Sequence, residues 1–173
     1  MKHILPLLFL LPFVGFAQNL VPNPRFEEYN QCPSAFGQVD SCLHWSVFSE
    51  TPDYYNSCAS NELLQVPNNF VGHQVASSGN AYLGLLTYSI IEQYRESAGV
   101  KLVEPMQSGI TYYISLKAAR AENEQGYGTI ATNGLGIKLS TVSYSSDTPV
   151  PIDNNPVIWS NEVIVDSLDW SIV

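Results

Sequence analysis

The segment Thr111–Ala119 most constrains the fold of this chain, because its side chains alternate in character along its whole length. One face of an extended segment would carry Tyr112, Ile114, Leu116 and Ala118. The opposite face would carry Tyr113, Ser115, Lys117 and Ala119. A period of two is typical of a strand with one buried and one solvent-facing side. The segment therefore predicts a β-sheet with one wet face.

Shorter segments elsewhere repeat this pattern, and proline and glycine separate them. The predicted strands cover residues 43–48, 81–86, 94–102, 135–140, 157–165 and 170–173. Thr51-Pro52-Asp53 and Ser78-Gly79-Asn80 have the composition of turns. Short strands joined by such turns, without a long helix, indicate an antiparallel arrangement. We predict an all-β fold, an antiparallel β-sandwich of the jelly-roll type.

Residues 90–102 fit two descriptions. Ile90, Ile91 and Tyr94 have helical spacing, whereas Ala98 and Val100 alternate with polar or small neighbours as in a strand. Gly99 and Val100 both lower helix propensity, which favours an extended run from about Tyr94.

The stretch Asn19–Glu28 reads Asn-Leu-Val-Pro-Asn-Pro-Arg-Phe-Glu-Glu. Each proline fixes φ and removes a backbone donor, which suits neither a helix interior nor a central strand. We predict a short edge strand here, with Phe26 filling a core and Glu27 beside it.

Residues 1–17 have the layout of a secretory signal peptide. Lys2 and His3 form a basic start, residues 4–16 are almost wholly apolar, and Gly15-x-Ala17 provides small residues before a cleavage site. The apolar run is shorter than the roughly 20 residues that a membrane helix needs. We predict cleavage before Gln18, a single β-sandwich domain over residues 18–173, and no transmembrane segment after cleavage. The expected location is secreted or on the outer cell surface, with the periplasm as an alternative.

The acidic charge of the chain bears on its partners. The chain contains seven Lys and Arg residues and sixteen Asp and Glu residues, so its formal net charge is −9. The net charge becomes −10 once Lys2 is removed with the signal peptide. Such a surface repels phosphate backbones, so nucleic acid is not an expected partner.

Three cysteines, Cys32, Cys42 and Cys58, follow the predicted cleavage site. In an exported protein two of them can form a disulfide, and the spacing alone does not determine which two. We favour Cys32–Cys42, which closes a short loop.

Aromatic residues are the candidates for ligand binding. Tyr54 and Tyr55 follow the turn at Thr51-Pro52-Asp53 and are expected on an exposed rim, where their rings could stack on sugars. Further candidates of this kind are Tyr82, Tyr113 and Tyr127. For each of them the alternative is a structural role in a sheet or loop. No nucleophile elbow, zinc-helix motif or phosphate loop is present, so the chain is predicted not to be an enzyme.

Several motifs, in this order, give the chain a family resemblance. They are Asn19–Glu27, the cysteine-containing loop Cys32–Cys42, Thr51–Asn56, Ser78–Tyr82, Tyr94–Glu96 and Gly109–Tyr113. In this order they resemble the N-terminal domain of exported surface proteins of gliding Gram-negative bacteria. More broadly, the chain is similar to galactose-binding-like jelly rolls among carbohydrate-binding modules.

The resemblance implies three further properties. In carbohydrate-binding modules the Glu after the Phe often holds a structural calcium, which implies calcium at Glu27 with Asp166 or Asp169 as further ligands. Family members continue into an outer-membrane-protein-A-like domain or a type IX secretion sorting signal. That continuation implies that this chain lacks a C-terminal partner domain and the last strand or strands of its sandwich.

These observations lead to a functional expectation. The leading hypothesis is a non-catalytic exported surface module that binds an extracellular or cell-wall glycan or mediates attachment. The alternatives are a structural spacer domain of a peptidoglycan-associated envelope protein, and an accessory domain of an extracellular hydrolase.

Overall fold

A computed structural model describes residues 18–89, 94–122, 128, 130–142 and 158–173. The predicted signal peptide and Tyr127 lie outside these residues. The described part of the chain contains short strands and two 3-10 helices, at Val39–Ser41 and Glu62–Leu64, and no α-helix. The prediction of an all-β chain is confirmed at this level.

Ten strands occur in the described residues. They are β1 (Trp45–Ser49), β2 (Asp53–Asn56), β3 (Asn68–Asn69), β4 (Gly72–His73), β5 (Ala81–Gly84), β6 (Ser97–Val100), β7 (Lys117–Ala118), β8 (Gly136–Ile137), β9 (Ile158–Trp159) and β10 (Ser171–Ile172). They form antiparallel two-stranded sheets, which pair β1 with β6, β2 with β5, β3 with β4, β7 with β10 and β8 with β9.

The β2–β5 ladder lies at the centre of the core because both of its faces are covered. Tyr55 pairs with Tyr82 in register, and Tyr54 pairs with Leu83. Successive strand residues point to opposite faces, so Tyr54 and Tyr55 enter different clusters. The first cluster contains Tyr55, Ala59, Leu64, Ala76 and Tyr82, with Trp170 packed against it. The second contains Cys42, Tyr54 and Ala81, with Phe26 and Trp45 against it.

The prediction of a turn followed by an exposed rim at Thr51–Tyr55 is wrong. Strand β2 begins at Asp53, Pro52 is fully buried, and Tyr54 and Tyr55 are 0% and 1% exposed. Thr51-Pro52-Asp53 instead leads directly into a strand that is buried on both faces.

The opening stretch is a loop and not an edge strand. Asn23 and Phe26 have positive φ values of 46° and 62°, which a strand does not tolerate. The Phe26 N–H donates to the carbonyl of Asn23 at 3.1 Å, which closes a turn around Pro24 and Arg25. Phe26 still packs against the core, as predicted, with its ring centroid 4.9 Å from that of Trp45.

The alternation over Thr111–Ala119 is confirmed, but pairing covers little of it. Tyr112, Ile114, Leu116 and Ala118 are partly buried, while Thr111, Tyr113, Ser115 and Lys117 are exposed. Only Lys117–Ala118 is a strand, paired with Ser171–Ile172. The alternation of exposed and partly buried side chains therefore extends beyond the two residues that pair with β10.

Candidate functional site

Asn23 organises the opening loop through a buried hydrogen-bond network. Its side-chain amide donates to the carbonyls of Glu28 and Leu43 at 2.8 and 2.9 Å, and its Oδ1 accepts from the Glu28 N–H at 3.0 Å. The Trp45 indole N–H donates to the Asn23 carbonyl at 3.1 Å. Asparagine tolerates positive φ and carries both a donor and an acceptor, so it can close this loop at a 7% exposed position.

Tyr54 joins this loop to the β2–β5 ladder. Its hydroxyl donates to the carbonyl of Phe26 at 2.7 Å and accepts from the Asn56 side-chain amide at 2.7 Å. Burial raises the pKa of Tyr54, so the hydroxyl stays protonated and continues to donate. Tyr54 is therefore a core residue of the fold and not a sugar-stacking residue.

Tyr55 and Tyr82 are also internal. Their ring centroids lie 5.3 Å apart, and Trp170 covers Tyr82 at 5.6 Å. The Tyr82 hydroxyl accepts from the Asn69 side-chain amide at 2.6 Å, and burial raises the pKa of Tyr82 to about 12. Of the five predicted stacking tyrosines, Tyr113 is fully accessible at 98% exposure, and Tyr127 lies outside the described residues.

Glu27 is bound to the turn before β5. Its Oε1 accepts from the Asn80 N–H at 2.8 Å. Gly79, at φ +72°, lies against the Glu27 carboxylate, which a β-carbon added at Gly79 would overlap. The turn needs glycine for its backbone conformation.

The predicted calcium ligand Asp166 is engaged in a local backbone turn. Asp166 Oδ1 accepts from the N–H groups of Leu168 and Asp169, both at 2.9 Å, and these bonds hold its pKa below the usual range. Among the described residues, no group of three or more His, Cys, Asp or Glu side chains could hold a metal ion. Calcium takes about six to eight oxygen ligands, so Glu27 with Asp166 or Asp169 would need several carbonyl oxygens beside them. Calcium binding itself stays a prediction.

The disulfide joins Cys32 to Cys58, with a Cα–Cα distance of 5.6 Å, so the prediction of Cys32–Cys42 is wrong. Cys42 is a free thiol with 0% exposure, inside the cluster of Tyr54 and Ala81. Its burial raises its pKa to about 12, which keeps it in the unreactive thiol form. The disulfide joins Cys32, which follows the opening loop, to Cys58, which follows the end of β2.

A polar cluster that the sequence did not single out joins Thr51, Tyr94 and Glu96. Glu96 Oε1 accepts from the Thr51 hydroxyl at 3.1 Å and from the Tyr94 hydroxyl at 3.3 Å. Its Oε2 accepts from the Leu86 N–H at 2.6 Å. The cluster brings together two motifs that are distant in sequence, Thr51–Asn56 and Tyr94–Glu96. The polar character that both motifs share is the one sequence signal that could have suggested this contact.

Asp53 lies close enough to Glu96 to affect its charge. Burial is the main cause that raises the pKa of Glu96, and the nearby Asp53 carboxylate adds to it. Burial likewise raises the pKa of Asp53, although Gly37 N–H at 2.7 Å and the Tyr55 hydroxyl at 3.2 Å donate to it. No Lys or Arg ion pair with either carboxylate occurs in the described residues. The cluster is therefore an anionic pair that is held by neutral donors.

This pair predicts an unusual pH dependence. A folded pKa above the unfolded value of 4.5 means that the folded state holds the proton more tightly, so stability falls as pH rises from 4.5 through the folded pKa of Glu96. In Glu96→Gln the amide can donate to the Thr51 and Tyr94 oxygens while its carbonyl accepts from Leu86 N–H. We expect the variant to gain stability relative to the wild type as pH rises, measured by urea unfolding between pH 4.5 and 8.

The control for this experiment is Glu104→Gln, which neutralises an exposed carboxylate away from the cluster. Its stability difference from the wild type should be nearly constant over the same pH range. A constant difference for Glu96→Gln as well would contradict the prediction.

Comparisons of the chain with protein-family models, with curated proteins and with solved structures found no match. In the residues that the structure describes, no helix is long and apolar enough to span a membrane. The contacts described above hold the fold together. They join the opening loop, β2, the turn before β5 and the Glu96 cluster.

Proposed function

We propose that the chain is a non-catalytic, exported surface module that works by attachment, through contacts with other proteins of the cell envelope. The observation that carries this proposal is the position along the chain of the exposed apolar side chains. More than half exposed are Val103, Ile110, Tyr113, Ile130, Val142, Trp159, Val165, Leu168 and Ile172. Among the described residues up to Ser89, Val75 alone reaches that exposure. Exposed apolar surface that forms a contiguous patch is typical of protein contact sites.

The disulfide and the strand pairing both support the proposal of an exported module. A Cys32–Cys58 disulfide fits an oxidising compartment. The antiparallel pairing of the strands agrees with a jelly-roll sandwich as the fold. A structural spacer domain of an envelope protein is an alternative to this role.

Glycan binding is the second candidate, and the exposure of Tyr113 favours it. A ring that is 98% exposed offers an apolar face to a sugar. Three of the other predicted stacking residues, Tyr54, Tyr55 and Tyr82, are buried, which leaves Tyr113 without a second described tyrosine from that set. For this reason we place protein contact first.

One binding experiment separates the two candidates. The purified chain is incubated with an outer-envelope fraction from cells that export it, and the fraction is treated beforehand with either protease or periodate. We expect retention that protease abolishes and periodate leaves intact. Loss of retention after periodate, which destroys sugar rings, would replace attachment to protein with glycan binding. An absence of retention by the untreated fraction would overturn both.

A further inference from the structure

Leu86 changes its backbone partner where the β2–β5 ladder ends. The ladder pairs Asp53 with Gly84, so the next pair of the same kind would join Thr51 to Leu86. Leu86 pairs with Glu96 instead. The Glu96 N–H donates to the Leu86 carbonyl at 2.9 Å, and the Leu86 N–H donates to Glu96 Oε2 at 2.6 Å. The Glu96 carboxylate therefore takes the position of a backbone acceptor.

The same carboxylate reaches the connection between β1 and β2. Its Oε1 accepts from the Thr51 and Tyr94 hydroxyls, and Thr51 lies between the end of β1 at Ser49 and the start of β2 at Asp53. Glu96 itself directly precedes β6, which pairs with β1. One side chain thus joins the β1–β6 ladder to the β2–β5 ladder, and these two ladders share no strand.

The titratable groups that face Glu96 are acidic or neutral. Asp53 and Tyr55 face it from β2, and Tyr94 faces it from the residues before β6. Glu50, from the connection between β1 and β2, acts on Tyr94 in turn. Burial raises the pKa of both tyrosines, so they stay uncharged at neutral pH.

No Lys or Arg pairs with the two carboxylates in the described residues. Every Lys and Arg after the predicted signal peptide lies in that part of the chain, and none of them forms an ion pair with Asp53 or Glu96. The neighbouring Arg95 directs its guanidinium elsewhere, with Nη1 2.7 Å from the Tyr94 carbonyl and Cζ 5.1 Å from the centre of the Tyr88 ring.

We propose that the Glu96 carboxyl forms a pH-sensitive contact between the two ladders, which is closed in acid and opens locally as Glu96 loses its proton. In the neutral form the carboxyl donates to the Thr51 or Tyr94 hydroxyl, since each hydroxyl can also accept, and Oε2 keeps the Leu86 N–H. In the ionised form the same place holds a second negative charge beside Asp53. This regulation goes beyond the attachment role proposed above and does not depend on it.

The contact can open without unfolding of the core because it lies at the surface. Thr51 is exposed and Leu86 is 45% exposed, so their separation from Glu96 uncovers little apolar area. Tyr55 and Tyr82, in the ladder behind them, are 1% and 7% exposed and become accessible through a much larger opening. Openings that uncover little buried surface need less free energy than global unfolding does.

Hydrogen exchange of the backbone amides measures this opening in the full chain, after each rate is corrected for its intrinsic pH dependence. The Leu86 and Glu96 N–H groups belong to one contact, so they should share one protection factor. That factor should lie at least about tenfold below those of Tyr55 and Tyr82. As pH rises above 4.5, the opening equilibrium should increase by up to about tenfold per pH unit and level off at the folded pKa of Glu96, because the open state releases the proton at the ordinary pKa.

Two substitutions test whether the proton on Glu96 controls the opening. Glu96→Gln keeps an acceptor for the Leu86 N–H but cannot ionise, so the protection of Leu86 should no longer depend on pH. Asp53→Asn removes the negative charge that faces Glu96, so the increase in opening should level off at a lower pH than in the wild type. Glu104→Gln, at an exposed position, is the matched control and should behave like the wild type.

Two results would overturn the proposal. Equal protection of Leu86 and Tyr82 at every pH would show that the contact opens only when the whole fold unfolds. Weak protection of Leu86 that does not change with pH, or that still changes in Glu96→Gln, would show that the ionisation of Glu96 does not control the opening. The urea measurements described above do not distinguish these cases, because they report on global unfolding.

Discussion

Replacing Asn23 with alanine should lower the free energy of unfolding by roughly 3–5 kcal/mol. The substitution leaves the Glu28 N–H and the Glu28 and Leu43 carbonyls without their side-chain partner. The Leu43 N–H still donates to the Glu28 carbonyl, so the Glu28 N–H and the Leu43 carbonyl are the two part-buried groups that lose a partner, and each loss costs about 1–3 kcal/mol. Alanine also tolerates the φ of +46° at this position less well than asparagine does, which adds about 1 kcal/mol. Urea unfolding followed by tryptophan fluorescence measures the change.

Two matched variants show which part of this loss comes from the network. Asn23→Gly removes the hydrogen bonds but accepts the positive φ, so it should lose most of the same stability. Asn19→Ala removes an exposed asparagine whose side chain accepts a single hydrogen bond, from the Val21 N–H at 3.0 Å, and it should lose little. Wild-type stability in Asn23→Gly would show that the network does not hold the loop.

Removing the disulfide by the double substitution Cys32→Ser and Cys58→Ser should cost roughly 3–4 kcal/mol. The bond spans 26 residues, and cross-linking a chain segment of this length reduces the entropy of the unfolded state by about that amount. Denaturation of the oxidised wild type, the wild type with a thiol reductant, and the double variant gives the comparison. The reduced wild type and the double variant should unfold at the same, lower midpoint.

Cys42→Ala is the control for this prediction, because it removes a buried thiol without opening the cross-link. Its stability should not change when reductant is added beyond the change seen in the wild type. Equal midpoints for the oxidised and reduced wild type would contradict a stabilising role for Cys32–Cys58.

The sequence predicted alternating exposure where one face meets solvent, although strand pairing covers only Lys117–Ala118 of that segment. From Thr111 to Ala118 the odd-numbered side chains are exposed, and that pattern is visible in the residues themselves. Strand β2 gave no such signal. Tyr54 and Tyr55 are buried on opposite faces, so apolar character does not alternate, and the adjacent Pro52 made the region resemble a turn.

The candidate site was less predictable because its contacts join distant parts of the chain. Glu27 was correctly placed beside the Phe26 core contact, but its partner, the Asn80 N–H, lies 53 residues further on. The disulfide was misassigned for a similar reason. A short loop favours Cys32–Cys42 when spacing is the only information, whereas the actual partner depends on where the end of β2 lies.

The buried thiol of Cys42 has a consequence for oxidative maturation. Cys32 and Cys42 are ten residues apart, against 26 for Cys32 and Cys58, so the shorter loop closes more readily in an unfolded chain. We therefore expect Cys42 to compete with Cys58 for Cys32 until the opening loop and Tyr54 bury it. Docking of the opening loop should then favour the Cys32–Cys58 pairing, because it leaves Cys58 as the accessible thiol.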